Sequence, residues 1–303
     1  MKKFLKIFLC VLLLLLAFWK IRSIYPYILS ARDFVVRNCF ALVKTHFPAY
    51  DISALPPLTE QGNEWYAKYH FIAHTGGHIE GRIDTDSKEA WKHSYERGVR
   101  IIDANLRFTA DNHLIVRVSW VYDFGQNYSP TLEQFKNSLI FMKYHPMTAE
   151  DMIQFMLLHS DLYIAGDAKN DPAQIYSALV NIAKRMNAEE ILSRVIVSLH
   201  RTEDVERVKA VYPFKNFVIR QYGWRHNWYK LAEFCVKNDI HAVNIFNYII
   251  DADPDGVKIL TSKGIHVFAA VVNSLSQLQA YKDLGVTGAV SDYLSESDWE
   301  LLR

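Results

Sequence analysis

Eight short runs of apolar, largely β-branched residues recur along the chain, at 71–73, 101–108, 162–165, 195–199, 217–219, 242–246, 266–272 and 288–290. Helical patterns lie between most of them. Examples are "TAEDMIQFMLLHS", "DPAQIYSALVNIAKRM", "TEDVERVKAVY", "NWYKLAEFCVKN", "DPDGVKILTSKG" and "SLSQLQAYKDLG". A strand that is apolar on both faces belongs in a parallel sheet covered on both sides. Eight such strands with intervening helices, spread over about 235 residues, suggest one closed (β/α)8 TIM barrel. A doubly wound open sheet is the alternative, and no glycine-rich nucleotide loop supports it. Residues 87–97 form a further helical pattern, with Asp86 placed to cap it and Glu89 to complete a capping box. Gly264 and Gly285 stand just past two helix ends, where a left-handed residue is needed.

The N-terminus carries a separate signal. Lys2, Lys3 and Lys6 precede an unbroken apolar run from 7 to 19, and Lys20 and Arg22 follow it. A span needs roughly 20 residues, and snorkelling of the flanking lysines extends the run at both ends. The run closes on Ala17-Phe18-Trp19, a poor cleavage site, which favours an uncleaved signal anchor over a cleaved signal. Three lysines on one side against Lys20 and Arg22 on the other place the globular part on the non-cytoplasmic side. The expected organisation is a single-pass anchor over 1–24, an amphipathic helix and proline-marked linker over 25–65, and the barrel over 66–303.

Half of the 303 residues are hydrophobic and the net charge is +1. That suffices for a large core and gives no field that would draw nucleic acid; no basic stretch interleaved with aromatics appears either. Of three cysteines, Cys10 lies in the anchor run, and the spacing of Cys39 and Cys235 carries no disulfide signature.

In a barrel of this kind the chemistry sits at the C-terminal ends of the strands. The polar residues there are His74; Asp103 and Asn105, two apart and so on one face; Arg117 on the continuation "LIVRVSW"; Asp167 and Lys169; then His200, Arg201, Gln221, Asn247, Asn273, Ser291 and Asp292. Strand-end residues often cap the next helix, and Asn273 and Asp292 read that way.

Several of these stretches resemble the glycerophosphodiester phosphodiesterase family, whose barrel is related to phosphatidylinositol-specific phospholipase C. "IAHTGG" looks like the family's first-strand histidine motif. "DSKEAWKHSYERGVRIIDANLRFTADNHLIV" looks like its Asn-Thr or Asn-Ser helix start, the Glu-x-Asp pair of strand two and the turn that follows. "YIAGDAK" resembles the third-strand acid-x-Lys motif, and "VFAAVVNS" and "GAVSDYL" the last two strands. The resemblance implies two histidines as general base and acid, and three carboxylates on calcium or magnesium.

Carried over by position, His74 matches the first, catalytic histidine. Asp103, Asn105 and Asp167 fall on metal positions and Lys169 on the third-strand lysine; Lys169 and, from its strand position alone, Arg117 are the substrate-binding candidates. Asn105 replaces an aspartate and loses a charge. Val118 stands where the second histidine belongs, and Ala270 where many relatives have another. One missing acid or base costs about 10²–10⁴ in rate, and one missing carboxylate weakens or removes the metal. The expectation is therefore a membrane-anchored barrel with a degraded catalytic site, a pseudoenzyme. It would keep a phosphate- or headgroup-binding cleft or bind a protein partner. The alternative is an active phosphoric diester hydrolase on a glycerophosphodiester or phospholipid headgroup.

Overall fold

Residues 52–59, 64–120, 128–221 and 227–302 are described by the computed structural model. The expected anchor, 1–24, and most of 25–65 lie outside them, as do Cys10 and Cys39. Among the described residues no helix is long and apolar enough to cross a membrane.

The strands are β1 (Phe71–Ala73), β2 (Ile101–Phe108), β3 (Leu114–Val116), β4 (Met147–Thr148), β5 (Tyr163–Ala168), β6 (Val195–Leu199), β7 (Asn216–Gln221), β8 (Ala242–Phe246), β9 (His266–Ala270) and β10 (Gly288–Ser291). All but β3 and β4 pair in parallel, in the order β1-β2-β5-β6-β7-β8-β9-β10. Ile72 opposite Val290 and Ile101 closes the ring. The expected barrel is present. The segment read as a continuation of the second strand instead turns back: Asn112 adopts φ 61°, and β3 pairs antiparallel with β2, Leu106 facing Val116. β4 adds to β3.

The lumen is filled from below. Ile72, Ile101, Ala165, Ile196, Val218, Ala242, Phe268 and Val290, one from each barrel strand, form a single apolar cluster. Trp65, Tyr66 and Tyr69, on and after the short helix Trp65–Lys68, close it at the N-terminal end of the strands. Trp65 is 1% exposed and stacks on Phe268 at 5.9 Å between centroids. A second, larger cluster joins the outer faces of the strands to the helices. Ile52, Leu55 and Leu58 of the presumed linker pack on it, so part of that stretch belongs to the folded body. Gly264 shows why: at φ +72° it lets Leu58 run so close that a Cβ would lie 2.6 Å from the Leu58 carbonyl oxygen.

The helix after β1 spans Lys88–Glu96 and its N-cap is Ser87, whose hydroxyl accepts from the Ala90 N–H. The expected cap, Asp86, sits one residue earlier with φ 48° and serves the site instead. Ser274 caps the helix Leu275–Asp283, and Ser295 starts the last helix with a capping box to Asp298. Asn273 and Asp292 are thereby left for other work.

Candidate active site at the C-terminal mouth

Side chains on a strand repeat every two residues. Two residues beyond the apolar ring stand His74, Asp103, Asp167, Ser198, Arg220, Asn244, Ala270 and Asp292. The lumen changes in one step from wholly apolar to polar at every strand but β9. Desolvated polar groups need partners, and here they supply one another.

His74 follows β1. Its Nδ1 lies 2.8 Å from Asp292 Oδ1; a carboxylate only accepts, so Nδ1 carries the proton. Asp292 Oδ2 accepts from Asn273 Nδ2 at 2.7 Å, and the Asp292 N–H returns a bond to Asn273 Oδ1 at 2.9 Å. Burial opposes charge on the imidazole, but the Asp292 hydrogen bond and the nearby Asp103 carboxylate outweigh it and raise its pKa above the usual histidine value. The turn carrying His74 is held from behind. Gly76 and Gly77 have φ of 84° and 81°, and a Cβ on Gly77 would fall 2.2 Å from Ser94 Oγ. Ser94 itself donates to the Gly76 carbonyl at 2.7 Å. The two glycines thus seat the histidine turn directly on the helix Lys88–Glu96.

Asp103 and Asp167, on neighbouring strands, share one cation. Arg220 Nη1 is 3.2 Å from Asp103 Oδ1 and 2.7 Å from Asp167 Oδ2. Lys169 Nζ reaches the same Asp167 oxygen at 2.7 Å, and His200 Nε2 lies 2.9 Å from Asp167 Oδ1. Burial pushes the Asp167 carboxyl up, but Arg220, His200 and Lys169 together hold it far below the usual carboxylate range. The exposed side of this network is made by His200 and Lys169, whose side chains are 40% and 23% exposed.

Asn105 points to a different partner. Its Nδ2 donates to both oxygens of Asp86, each at 3.1 Å. Asp86 is fully buried, and that burial raises its pKa to about 7 against the opposing pull of Arg117 and the Asn105 hydrogen bond. Ser87 is the N-cap, so Asp86-Ser87 falls where the resemblance puts an Asn-Ser helix start, and the carboxylate that the resemblance expects at 105 has a neighbour of that kind at 86. Arg117 is 0% exposed; its Nη1 donates to the carbonyls of Asp84 (2.6 Å) and Thr85 (3.3 Å), fixing the loop that carries Asp86.

The structure therefore brings His74, Asp103, Asn105, Asp167 and Lys169 to one mouth from three strands, and sets Arg117 behind it as a support. Sequence reasoning missed Arg220, naming Gln221 instead. Counting by two from Val218 would have turned Arg220 inward. In the sequence Asp292 and Asp86 read as caps, whereas Ser295 and Ser87 start the helices that follow them.

Calcium or magnesium requires anionic oxygens with lone pairs to give. Asp103 and Asp167 already carry Arg220 between them, Asn105 is a neutral amide, and no group of three or more His, Cys, Asp or Glu among the described residues could hold a metal. The donor set does not fit the divalent cation that the resemblance implies.

No family model matches the sequence, and no curated protein does. Solved structures do match. A glycerophosphodiester phosphodiesterase from Parabacteroides distasonis is 16% identical with a TM-score of 0.63, over 77% of this chain and 95% of that one. An Oleispira antarctica phosphodiesterase, solved with the product sn-glycerol-3-phosphate, is 15% identical with a TM-score of 0.61, over 75% and 95%. A glycerophosphodiester phosphodiesterase from Thermotoga maritima is 14% identical with a TM-score of 0.57, over 77% and 97%. At such identities the likeness shows the fold: this chain has the barrel of the glycerophosphodiester phosphodiesterases.

Proposed function

We propose that the barrel mouth binds a phosphodiester of the glycerophosphodiester or phospholipid-headgroup class and cleaves it, with His74 as the proton-transfer group. One observation carries this reading. The His74–Asp292 pair, 2.8 Å apart, opens into the same polar layer as the Asp103–Arg220–Asp167–Lys169 network. A phosphate needs fixed positive partners for the charge developing on its oxygens, and Lys169 and His200 are the exposed members of that network. Proton removal from the attacking water or substrate hydroxyl needs a base whose tautomer is fixed. Asp292 fixes it, holding the proton on Nδ1 and leaving Nε2 as the accepting nitrogen. His200 is the second imidazole at this mouth and the candidate for protonating the leaving oxygen. The solved Oleispira relative, which holds sn-glycerol-3-phosphate, supports this ligand class.

A binding role without turnover is the second reading. Val118, at the position of the second histidine, cannot move a proton, and its carbonyl only receives the Arg107 guanidinium at 2.7 Å. The apolar run 7–19 between lysines supports tethering to a membrane, with the barrel on its non-cytoplasmic side. A hydrolysis panel of glycerophosphodiesters and phospholipid headgroups, run on the full chain and on His74→Ala, separates the readings. Turnover lost in His74→Ala supports the enzyme. Ligand binding without turnover in the wild type refutes it in favour of the second reading.

A further inference from the structure

We propose that the Arg220 guanidinium occupies the place of the divalent cation in this barrel, so that the mouth takes its phosphodiester without metal. This rests on the phosphodiester reading above and specifies the charge that serves it. Arg220 leaves β7 and reaches past β6 to carboxylates on β5 and β2, crossing the lumen above the apolar ring. It is 5% exposed, which is rare for an arginine without a fixed charged partner. The geometry is that of a bridging cation: one nitrogen touches one oxygen of each carboxylate, at 3.2 and 2.7 Å.

The charge count agrees. Asp103 and Asp167 contribute two negative charges, and Arg220 and Lys169 two positive charges, so these four groups balance one another before any charge on His200 is added. A divalent cation added there would leave an excess of two positive charges in a poorly solvated place, where charge repulsion is weakly screened. Asp167 Oδ2 already accepts from both Arg220 and Lys169, which fills its two lone pairs, and Oδ1 faces His200. The carboxylates are thus held as a metal would hold them. Arg220 acts through them and through its own charge, as a positioning residue.

The test is a calorimetric and thermal-shift titration of the full chain with calcium, magnesium and manganese, without substrate, beside Arg220→Met. Should that variant not fold, Arg220→Gln carries the same comparison. The wild type should show no saturable binding and no change of melting midpoint with metal or with EDTA. The variant, with the bridge removed and both carboxylates exposed to each other, should gain a midpoint rise of about 5–10 °C at roughly 100-fold saturation. Saturable binding to the wild type that Asp103→Asn abolishes would overturn the proposal, and so would a folded Arg220 variant as indifferent to metal as the wild type. A metal-indifferent wild type with a metal-responsive variant supports it even if no phosphodiester is hydrolysed; that last result would defeat the function proposed above and not this one.

Discussion

Asp292→Asn removes one charge and one acceptor from the pair on which the mechanism rests. The carboxylate accepts twice, from His74 Nδ1 and from Asn273 Nδ2. An amide offers one acceptor and one donor, so it satisfies only one of them. Asn273 cannot rotate to compensate, because its Oδ1 already accepts from the Asp292 N–H at 2.9 Å and from Ser291 Oγ at 3.0 Å. A buried donor left facing a donor costs about 1–3 kcal/mol. At about 2–4 °C per kcal/mol for a domain somewhat smaller than this, the midpoint should fall by about 2–12 °C. The effect on His74 has a sign. Its pKa is raised in the folded protein, so its contribution to stability is fully present below the unfolded value near 6.5 and is lost as pH rises through the higher folded value. In Asp292→Asn burial acts against a weaker counterweight, and the imidazole titrates lower. The gap between wild type and variant should therefore be widest in acid and narrow in alkali. Turnover should drop by about 10²–10⁴-fold, the usual size of one proton-transfer group. Calorimetric melts from pH 5 to 9, histidine NMR titration and the hydrolysis assay read the three effects. An unchanged His74 titration together with wild-type turnover would refute the role assigned to the pair.

Three other outcomes are expected. Asn105→Asp sets a second carboxylate 3.1 Å from one whose pKa is already about 7; both would hold protons too tightly when folded, so thermal melts should show a loss that grows from pH 5 to pH 8, about 1.4 kcal/mol per unit of added shift. Adding Asp86→Asn should restore most of it, and melts showing additive losses in the double variant would count against an exchanged amide–carboxylate pair. Trp65→Ala empties the foot of the lumen and should cost about 3–5 kcal/mol in denaturant melts while leaving the mouth's ligand preference unchanged. Mass spectrometry of the membrane-extracted protein should find the N-terminus intact, whereas a mature chain starting beyond Trp19 would contradict the anchor.

How much of this was legible beforehand depended on what each residue's neighbours did. The eight barrel strands were readable because an apolar run on both faces has few other uses, and 195–199 and 242–246 matched to the residue. The β2–β3 reversal was not: three apolar residues after a polar turn look the same whether the chain continues or folds back, and only the left-handed Asn112 decides it. His74, Asp103, Asp167 and Lys169 could be named because strand ends of a barrel converge. Their partners could not, since Arg220 lies 117 positions from Asp103 and Asp292 lies 218 from His74. Such pairs exist only once the ring has closed. Asn105 looked like a lost charge when read alone; with Asp86 beside it the charge has moved.

The most direct test of the central claim is a structure of the full chain with a non-hydrolysable phosphodiester, prepared in EDTA. The phosphonate group should lie in the mouth within hydrogen-bonding distance of Lys169, with the water or ligand hydroxyl beside it donating to His74 Nε2 and Arg220 still bridging Asp103 and Asp167 beneath. A ligand bound elsewhere on the barrel, or none at concentrations that saturate a glycerophosphodiester phosphodiesterase, would contradict the account.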